Sequence, residues 1–532
     1  MLDAPPQPET RRHLLDGGYT VALLAIAIAA GYGILGSSPA PAKSARPDTP
    51  APAIVGALVT PPVEAPPASI PDTSRATETI KPAAPSVALA RPPAVTPEPP
   101  RPTPEVRPIP APAPRPVKPE PAVEFPWPSP TVTGKVLDSE RKPLAGASVV
   151  VRGVEVRTDA DGAFKLEQVP PESTLLVKMP GFEKVQVPPT KGAVEAVLKP
   201  QHIKAAYLTY FGFGDRGIRT RVLDLAARTE LNAVVIDVKG DRSWLLYKSE
   251  VPMVAEIGAQ GPAVWKDFDN FLAELKGRGI YTIARIVTFK DNLLATSRPE
   301  LAIIDTRTGK PWIDNEKLAW VDPFREEVWA YNIALAKEAV RKGFDEIQFD
   351  YVRFPTDGKL SVAKYAKPNS KETRVPAIAA FLERARKELG AMGAFVAADV
   401  FGYTAFNDSD TDIGQRVEDL APHLDYFSPM VYPSGYHKGI PGYRNPVENP
   451  YHVVHESIRL TRKRTGTSVV KVRPWLQDFK DYAFDKRIFG VNEVRAQIKG
   501  SDDAGGIGWM LWNPKNDYTA AALREKGTIA TR

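Results

Sequence analysis

The chain of 532 residues contains no cysteine. That absence excludes disulfides, thiolate metal sites, cysteine nucleophiles and a lipidated N-terminal cysteine. Histidine is scarce as well, with six residues. His437, His452 and His455 are the nearest approach to a zinc cluster, but the chain has no H-E-x-x-H pattern. We therefore expect neither a metal nor another cofactor.

Strong charge imbalance is also absent. The chain has 69 basic and 63 acidic residues, a formal net charge of +6. A nucleic-acid binder concentrates basic residues in a stripe or patch, so we expect no nucleic-acid partner. Gly212-Phe-Gly214 lacks the third glycine and the spacing of a dinucleotide fingerprint. No nucleophile-elbow motif supports a serine triad.

Proline, in contrast, is abundant. The chain has 55 prolines, and 29 of them lie between Pro39 and Pro130. The rest of this stretch is mainly alanine, valine and charged residues, a composition that cannot bury a core. It predicts a disordered, extended linker over residues 37–130. A proline-rich ligand for a partner protein is the alternative.

Residues 17–42 carry no charge, and the apolar part, 17–36, is long enough to cross a bilayer. Two arginines and a histidine at 11–13 precede it, so the positive-inside rule places residues 1–16 in the cytoplasm. We predict a transmembrane signal-anchor helix at 17–36 and a single-pass inner-membrane protein whose C-terminal domains lie outside the cytoplasm. A cleaved signal peptide, with small residues at 38–40, is the alternative.

Residues 131–200 show short strand patterns separated by glycine, proline and aspartate, which predict a small β-sandwich. The segments 132–137, 143–152 and 158–164 resemble the carboxypeptidase regulatory-like domain. The resemblance implies a spacer or adhesion module. Asp159 and Asp161 suggest calcium, but Asp-Gly turns need no metal, and we favour a turn.

Residues 203–528 alternate between strand and helix patterns, which predicts an α/β fold, a (β/α)₈ TIM barrel. The predicted strands are 206–211, 233–238, 281–289, 346–349, 395–400, 425–431, 470–476 and 507–511. The predicted helices include 218–228, 268–276, 324–342, 375–389, 453–464 and 491–498.

Several motifs in this region resemble a family of glycosidase-like barrels, the putative glycoside hydrolase barrel family, from Ala205 to Lys526. The motifs are Tyr-Phe-Gly at 210–212, Val-Ile-Asp-Val-Lys at 235–239, Gln-Phe-Asp-Tyr-Val-Arg-Phe-Pro at 348–355, Ala-Asp-Val-Phe-Gly at 398–402, Ser-Pro-Met-Val-Tyr-Pro at 428–433 and Gly-Trp-Met-Leu-Trp-Asn at 508–513. The resemblance implies the fold and the reaction class, and little about the substrate.

Glycoside hydrolysis needs two carboxyl groups beside the scissile bond. Gln348 and Asp350 share one face of the fourth predicted strand, and Ala397 and Asp399 share one face of the fifth. Strands lie ~4.8 Å apart, so these two aspartates are the candidate catalytic pair. We assign Asp350 as the nucleophile or stabilising carboxylate and Asp399 as the general acid/base, with exchanged roles left open.

The alternative is that either aspartate only forms an ion pair inside the rim. The arginines in reach are Arg285, Arg353 and Arg473. A neighbouring arginine lowers the pKa of a carboxyl group, which suits a nucleophile and hinders an acid.

Other carboxylates compete for roles in the site. Asp237 is expected to share its strand face with Lys239, and it either binds a sugar hydroxyl or neutralises Arg285. Glu448 and Asp478 are alternative acids supplied by loops.

Aromatic residues cluster at or just beyond the predicted strand ends, where their rings can stack on the C–H faces of sugars. They are Tyr210, Tyr351, Tyr403, Tyr432, Tyr436, Trp475 and Trp512. The predicted substrate-binding residues are Asp237, Tyr351, Arg353, Tyr403, Tyr432, Trp475 and Trp512.

The sequence therefore predicts a membrane-anchored glycoside hydrolase that cleaves an envelope, cell-wall or extracellular polysaccharide by carboxylate acid/base chemistry. The alternatives are a non-catalytic glycan-binding scaffold of the envelope and a transglycosylase.

Overall fold

The computed structural model describes residues 131–170, 172–188, 193–261, 265, 267–466 and 469–527. The predicted stub at 1–16, anchor helix at 17–36 and linker at 37–130 lie outside the described residues. Across the described ranges, no helix is both long and apolar enough to span a bilayer.

The first domain consists of two small sheets around one apolar core. Its strands are β1 (Val132–Asp138), β2 (Ser148–Val151), β3 (Val154–Arg157), β4 (Ala163–Leu166), β5 (Leu175–Lys178), β6 (Val185–Val187) and β7 (Val194–Leu198). One sheet has the order β4-β1-β7 and the other β3-β2-β5-β6. Asp159 Oδ1 accepts the N–H groups of Asp161 at 3.0 Å and Ala163 at 2.8 Å, which is the geometry of a turn.

The second domain is a closed barrel of eight parallel strand positions, as predicted. The strands from this point on are β8 (Ile203–Leu208), β9 (Ala233–Lys239), β10 (Tyr281–Val287), β11 (Ile304–Asp305), β12 (Glu346–Asp350), β13 (Ala363–Lys364), β14 (Phe395–Phe401), β15 (Tyr426–Met430), β16 (Lys471–Val472), β17 (Trp475–Gln477) and β18 (Gly508–Trp512). The ring runs β8-β9-β10-β12-β14-β15, then β16 and β17, then β18, which pairs again with β8. The short strands β11 and β13 pair with each other outside the ring.

Helices follow most of the barrel strands and cover their outer faces. They are α1 (Tyr210–Gly214), α2 (Arg216–Arg228), α3 (Pro252–Glu256), α4 (Phe268–Gly277), α5 (Asn292–Ser297), α6 (Glu326–Lys342), α7 (Lys371–Gly390), α8 (Val417–Leu420), α9 (Pro450–Thr465) and α10 (Val491–Asp503). Single 3₁₀ turns occupy Pro299–Leu301, Leu360–Val362, Gly402–Ala405, Ala421–His423, Pro433–Gly435, Pro446–Glu448 and Ala520–Ala522.

Alternate residues of each barrel strand enter two different cores. In β8, Ala205 and Tyr207 point into the barrel, whereas Ala206 and Leu208 pack against the helices. Because side chains alternate between the two faces of a strand, the positions of Asp350 and Asp399 along their strands predict that both point into the barrel.

The first barrel strand lies three residues earlier than predicted. The predicted strand 206–211 extends past Thr209, whose hydroxyl accepts the N–H of Gly212 at 2.8 Å and caps helix α1. Tyr210 therefore lies in a helix, packed against Phe211 and Trp244.

Asp237 and Lys239 do not share a face, contrary to the prediction. Arg285 pairs with Asp237 in register but the next residue, Ile286, pairs with Lys239, so strand β9 bulges. Asp237 points into the barrel, while Lys239 Nζ points outward and donates to Asp291 Oδ2 at 2.6 Å.

The two domains meet at the N-terminal ends of the barrel strands. Lys178 Nζ donates to the carbonyl oxygen of Ala394 at 2.6 Å, just before β14. Lys184 Nζ donates to the carbonyl oxygen of Asp345 at 2.7 Å, just before β12. Tyr426 Oη accepts the N–H of Gly181 at 2.9 Å. The sandwich therefore covers the barrel face opposite the strand C-termini.

Candidate active site

Two carboxyl groups meet at the C-terminal ends of neighbouring strands. Phe349 of β12 pairs with Ala398 of β14, and the next residues along this register are Asp350 and Asp399. Both point into the barrel, and both side chains border one small pocket. The predicted pair is therefore brought together at the rim where barrel enzymes carry their chemistry.

Arg285, in the wall of this pocket, contacts three carboxylates. Its Nε lies 3.0 Å and its Nη2 2.5 Å from Asp350 Oδ2, and its Nη1 lies 2.6 Å from Asp237 Oδ1. Asp241 is a more distant third partner, at 3.5 Å. Arg285 is 1% exposed, so its ion pairs with the buried Asp237 and Asp350 are shielded from water.

Asp237 faces the arginine and a tyrosine and does not border the pocket. Its Oδ2 accepts the hydroxyl of Tyr207 at 2.5 Å, and burial raises the pKa of Asp237 to about 6 against the opposing effect of Arg285. Of its two predicted roles, the contacts favour neutralising Arg285 over binding a sugar hydroxyl.

Asp399 has a different environment from Asp350. It is 1% exposed, and burial, followed by the nearby charge of Asp350, raises the pKa of Asp399 well above its usual value. Trp475 Nε1 donates to Asp399 Oδ1 at 2.6 Å. The indole fixes one carboxyl oxygen and leaves Oδ2 to carry a proton.

An inner pocket forms around these groups. Its predicted members are Asp350, Tyr351, Arg353, Asp399, Tyr432, Trp475 and Trp512. Its further members are Asp241, Arg285, Phe401, Met430 and Pro514. The pocket has a volume of about 40 Å³, room for about three water molecules.

The aromatic residues of the pocket hold one another in place. The ring of Trp512 stacks on Tyr207 with centroids 4.0 Å apart, and Trp475 meets Trp512 edge-on at 5.4 Å. Because Trp475 also donates to Asp399, this packing fixes the orientation of the candidate acid.

Arg353 is not the arginine that pairs with Asp350. Its guanidinium lies over the rings of Tyr351 at 5.0 Å and Phe401 at 4.8 Å, and it donates to the carbonyl oxygen of Phe354. Tyr351 has φ 49°, a left-handed conformation that non-glycine residues seldom adopt. Its N–H donates to Asp350 Oδ1 at 2.6 Å and so orients that carboxylate.

The third candidate arginine and the two alternative acids lie outside the inner pocket. Arg473 pairs with Glu346 at the other end of the barrel interior. Glu448 faces Arg487 at 3.5 Å, and Asp478 accepts the N–H of Thr519 at 2.9 Å. Neither Glu448 nor Asp478 borders the inner pocket.

A second, larger space adjoins the inner pocket. This outer cavity has a volume of about 1050 Å³, and Tyr403, Tyr432 and Tyr436 are among its walls. Tyr403 and Tyr436 were predicted at strand ends and lie here, away from the two carboxyls.

Sequence relationships agree with this geometry. The model of the family described as "Putative glycosyl hydrolase domain" matches residues 205–518, more than half of the chain. The chain belongs to this family. The carboxypeptidase regulatory-like domain matches residues 131–198, which include all seven strands of the sandwich. The chain thus carries a glycosyl hydrolase-like barrel behind a regulatory-like sandwich. No protein with a curated description matches it.

Several solved structures match part of this chain. A hypothetical protein from Ruminiclostridium thermocellum ATCC 27405 is 41% identical over 37% of this chain and 97% of its own, with a TM-score of 0.33. The glycoside hydrolase domain of PgaB (BpsB) from Bordetella bronchiseptica is 14% identical over 60% of this chain and 95% of its own, with a TM-score of 0.42. The C-terminal domain of a chitinase-like protein from Desulfitobacterium hafniense DCB-2 is 12% identical over 60% and 96%, with a TM-score of 0.38.

Proposed function

We propose that the glycosyl hydrolase-like barrel cleaves glycosidic bonds of a polysaccharide, with Asp399 as the proton donor and Asp350 as the ionised partner. The observation that carries the proposal is the contrast between two adjacent carboxyls. Asp350 is ion-paired with Arg285, whereas burial, followed by the charge of Asp350, raises the pKa of Asp399 well above its usual value. A pair of titratable groups with opposed environments divides the acid and base roles of hydrolysis.

The chemistry follows from this division. Asp399 transfers its proton to the glycosidic oxygen as the bond between that oxygen and the anomeric carbon breaks. The negative charge of Asp350 stabilises the positive charge that develops on the sugar, or forms a bond to it. Water then supplies the hydroxyl of the new reducing end, and its remaining proton returns to a carboxylate.

The location of the chain belongs to the same proposal. The uncharged stretch at 17–36 anchors the protein in the inner membrane, and residues 37–130 link this anchor to the two folded domains. The barrel then acts on an envelope or extracellular glycan. Protease treatment of intact and permeabilised cells tests the topology. Degradation of the barrel only after the inner membrane is opened would contradict it.

The activity is tested with the purified full chain and a panel of glycans, including β-linked oligomers of glucose, galactose and N-acetylglucosamine. We expect new reducing ends from at least one of them, and loss of turnover in Asp350→Asn and Asp399→Asn. Asp224→Asn, on an exposed position of helix α2, is the matched control.

The outcomes separate the rival functions. A protein that binds a glycan, forms no product and is indifferent to Asp350→Asn is a binding scaffold. Transfer of the cleaved segment to an added acceptor sugar, without net hydrolysis, identifies a transglycosylase.

A further inference from the structure

The outer cavity and the inner pocket share one wall. Phe401, Met430 and Tyr432 border both spaces. On its other sides the inner pocket is bordered by Trp512 and Pro514 among others, and Trp512 is stacked on Tyr207. A glycan whose glycosidic bond lies at Asp350 and Asp399 therefore has room to extend into the outer cavity.

The size of the outer cavity suits more than one sugar. Its volume of about 1050 Å³ is slightly larger than the range of roughly 300–1,000 Å³ typical of pockets that enclose drug-sized ligands. A single monosaccharide would leave most of it filled with water. The half-buried ring of Tyr403 lines it and offers apolar surface to a pyranose ring.

The wall formed by residues 355–361 is held rigidly from outside. Trp312 Nε1 donates to the carbonyl oxygen of Lys359 at 3.0 Å. Gly358 has φ +75°, and a Cβ there would lie 2.7 Å from the ring of Trp312. Strands β11 and β13 pair beside this wall. The cavity is thus a built site and not a gap between loose loops.

One carboxyl in this wall has no part in the proposed cleavage. Asp357 borders the outer cavity and is 8% exposed. Burial, followed by the charge of Asp314, raises the pKa of Asp357. A buried carboxyl beside an open space is suited to hydrogen bonds with sugar hydroxyls, which replace the water it has lost.

The charges around the cavity balance. Asp357 and Asp412 are offset by Lys359 and Lys438. Asp412 is also paired with Arg374 at 3.0 Å. Such a wall offers no excess of either sign to attract a polyanionic or polycationic polymer.

We infer that the outer cavity binds the second and further sugar units of an uncharged glycan oligomer, and that Asp357 binds their hydroxyls. The inference rests on the proposed function for the location of the cleaved bond. It assigns the barrel to polymers and not to monosaccharide glycosides.

The test measures binding as a function of chain length. Full-length protein carrying Asp399→Asn is titrated with uncharged oligomers of two to six units from the panel above, and with oligogalacturonates as the charged comparison. We expect affinity for the matching glycan to rise by about tenfold or more between two and four units, with no such rise for the oligogalacturonates. Affinity that does not change with length, or binding of no oligomer at all, overturns the inference.

Variants locate the effect in the cavity. Asp357→Ala should weaken binding of the four-unit oligomer about tenfold more than that of the two-unit one, and Asp357→Asn should restore most of the loss. Ser361→Trp, which places a bulky ring at the cavity edge, should do the same as Asp357→Ala. Ser297→Trp, at an exposed position of helix α5, is the matched control. Equal losses for both lengths would indicate a merely structural role.

Failure of the two proposals can be told apart. Length-dependent binding without hydrolysis by the unmodified chain contradicts the catalytic proposal alone. Hydrolysis with length-independent binding contradicts the cavity alone.

Discussion

Arg285 decides which of the two rim aspartates can serve as the acid. It holds Asp350 and Asp237 in one set of buried ion pairs and leaves Asp399 to be governed by burial. The alternation of side chains along the two neighbouring strands predicted that Asp350 and Asp399 lie close together. It offered three arginines as partners and could not choose among them, because the choice depends on side-chain length and direction inside the barrel.

The pH profile of turnover should report Asp399. A general acid works only while protonated, so activity should fall as pH rises through its pKa, which lies well above the usual value for aspartate. Asp399→Asn should abolish this falling limb and lower kcat by about 10²–10⁴-fold. A dinitrophenyl glycoside, whose leaving group needs little protonation, should be affected least. Asp478→Asn, at a buried acid outside the pocket, should retain the limb.

Removing the arginine should destabilise the protein. Arg285→Met leaves Asp237 and Asp350 buried without a countercharge, which should cost about 3–5 kcal/mol of unfolding free energy. Adding Asp237→Asn removes one stranded charge and should recover part of that loss. Urea denaturation of the single and double variants measures both. Strictly additive losses would show that the two groups are not coupled.

At the scale of elements, the alternation of apolar runs predicted the eight barrel positions, and local chemistry decided where they begin and end. Thr209 caps a helix where an apolar run suggested strand. The seventh position is split because Pro474 has no N–H to give to a ladder. The bulge in β9, which turns Lys239 away from Asp237, has no local sequence signal, since it arises from pairing with β10.

The wall of the outer cavity offers a prediction at this scale. Gly358→Ala imposes both a left-handed backbone and a clash with Trp312, whereas Gly309→Ala, at φ +68° with open space around it, imposes only the first. Gly309→Ala should cost about 1–2 kcal/mol of unfolding free energy, and Gly358→Ala about 1–3 kcal/mol more. Thermal and urea unfolding measure the difference. Equal losses of unfolding free energy in the two variants would show that the cavity wall shifts to relieve the clash with Trp312.

At the scale of the whole molecule, the junction between the domains contains a buried lysine. Burial, opposed by Asp425 and Glu155 and assisted by Arg386 and Lys184, lowers the pKa of Lys178 to about 7. The unfolded chain, with the ordinary lysine value of 10.5, binds more protons between these two values. Stability should therefore rise as pH rises from about 7 to about 10, and fall as pH is lowered again.

A variant of Lys178 measures how much this residue contributes to the pH dependence of the unfolding free energy. Lys178 alone contributes at most about 1.4 kcal/mol per pH unit in that window. Lys178→Met should remove its share of the slope in urea unfolding measured at several pH values. The exposed Lys135→Met, in the same sandwich, is the control that should leave the slope intact. An unchanged slope in Lys178→Met would show that the amine titrates as an ordinary lysine.

Because the sandwich covers the N-terminal face of the barrel, the rim that carries the candidate site lies on the opposite face. The chain enters its described part at residue 131, on the sandwich, and the carboxyl pair lies at the far ends of the strands that the sandwich covers. With the N-terminal anchor that we propose, the chain would be attached through the sandwich, and the candidate site would lie on the barrel face opposite the sandwich. A stiff or insoluble polymer could then bind there without passing around the protein.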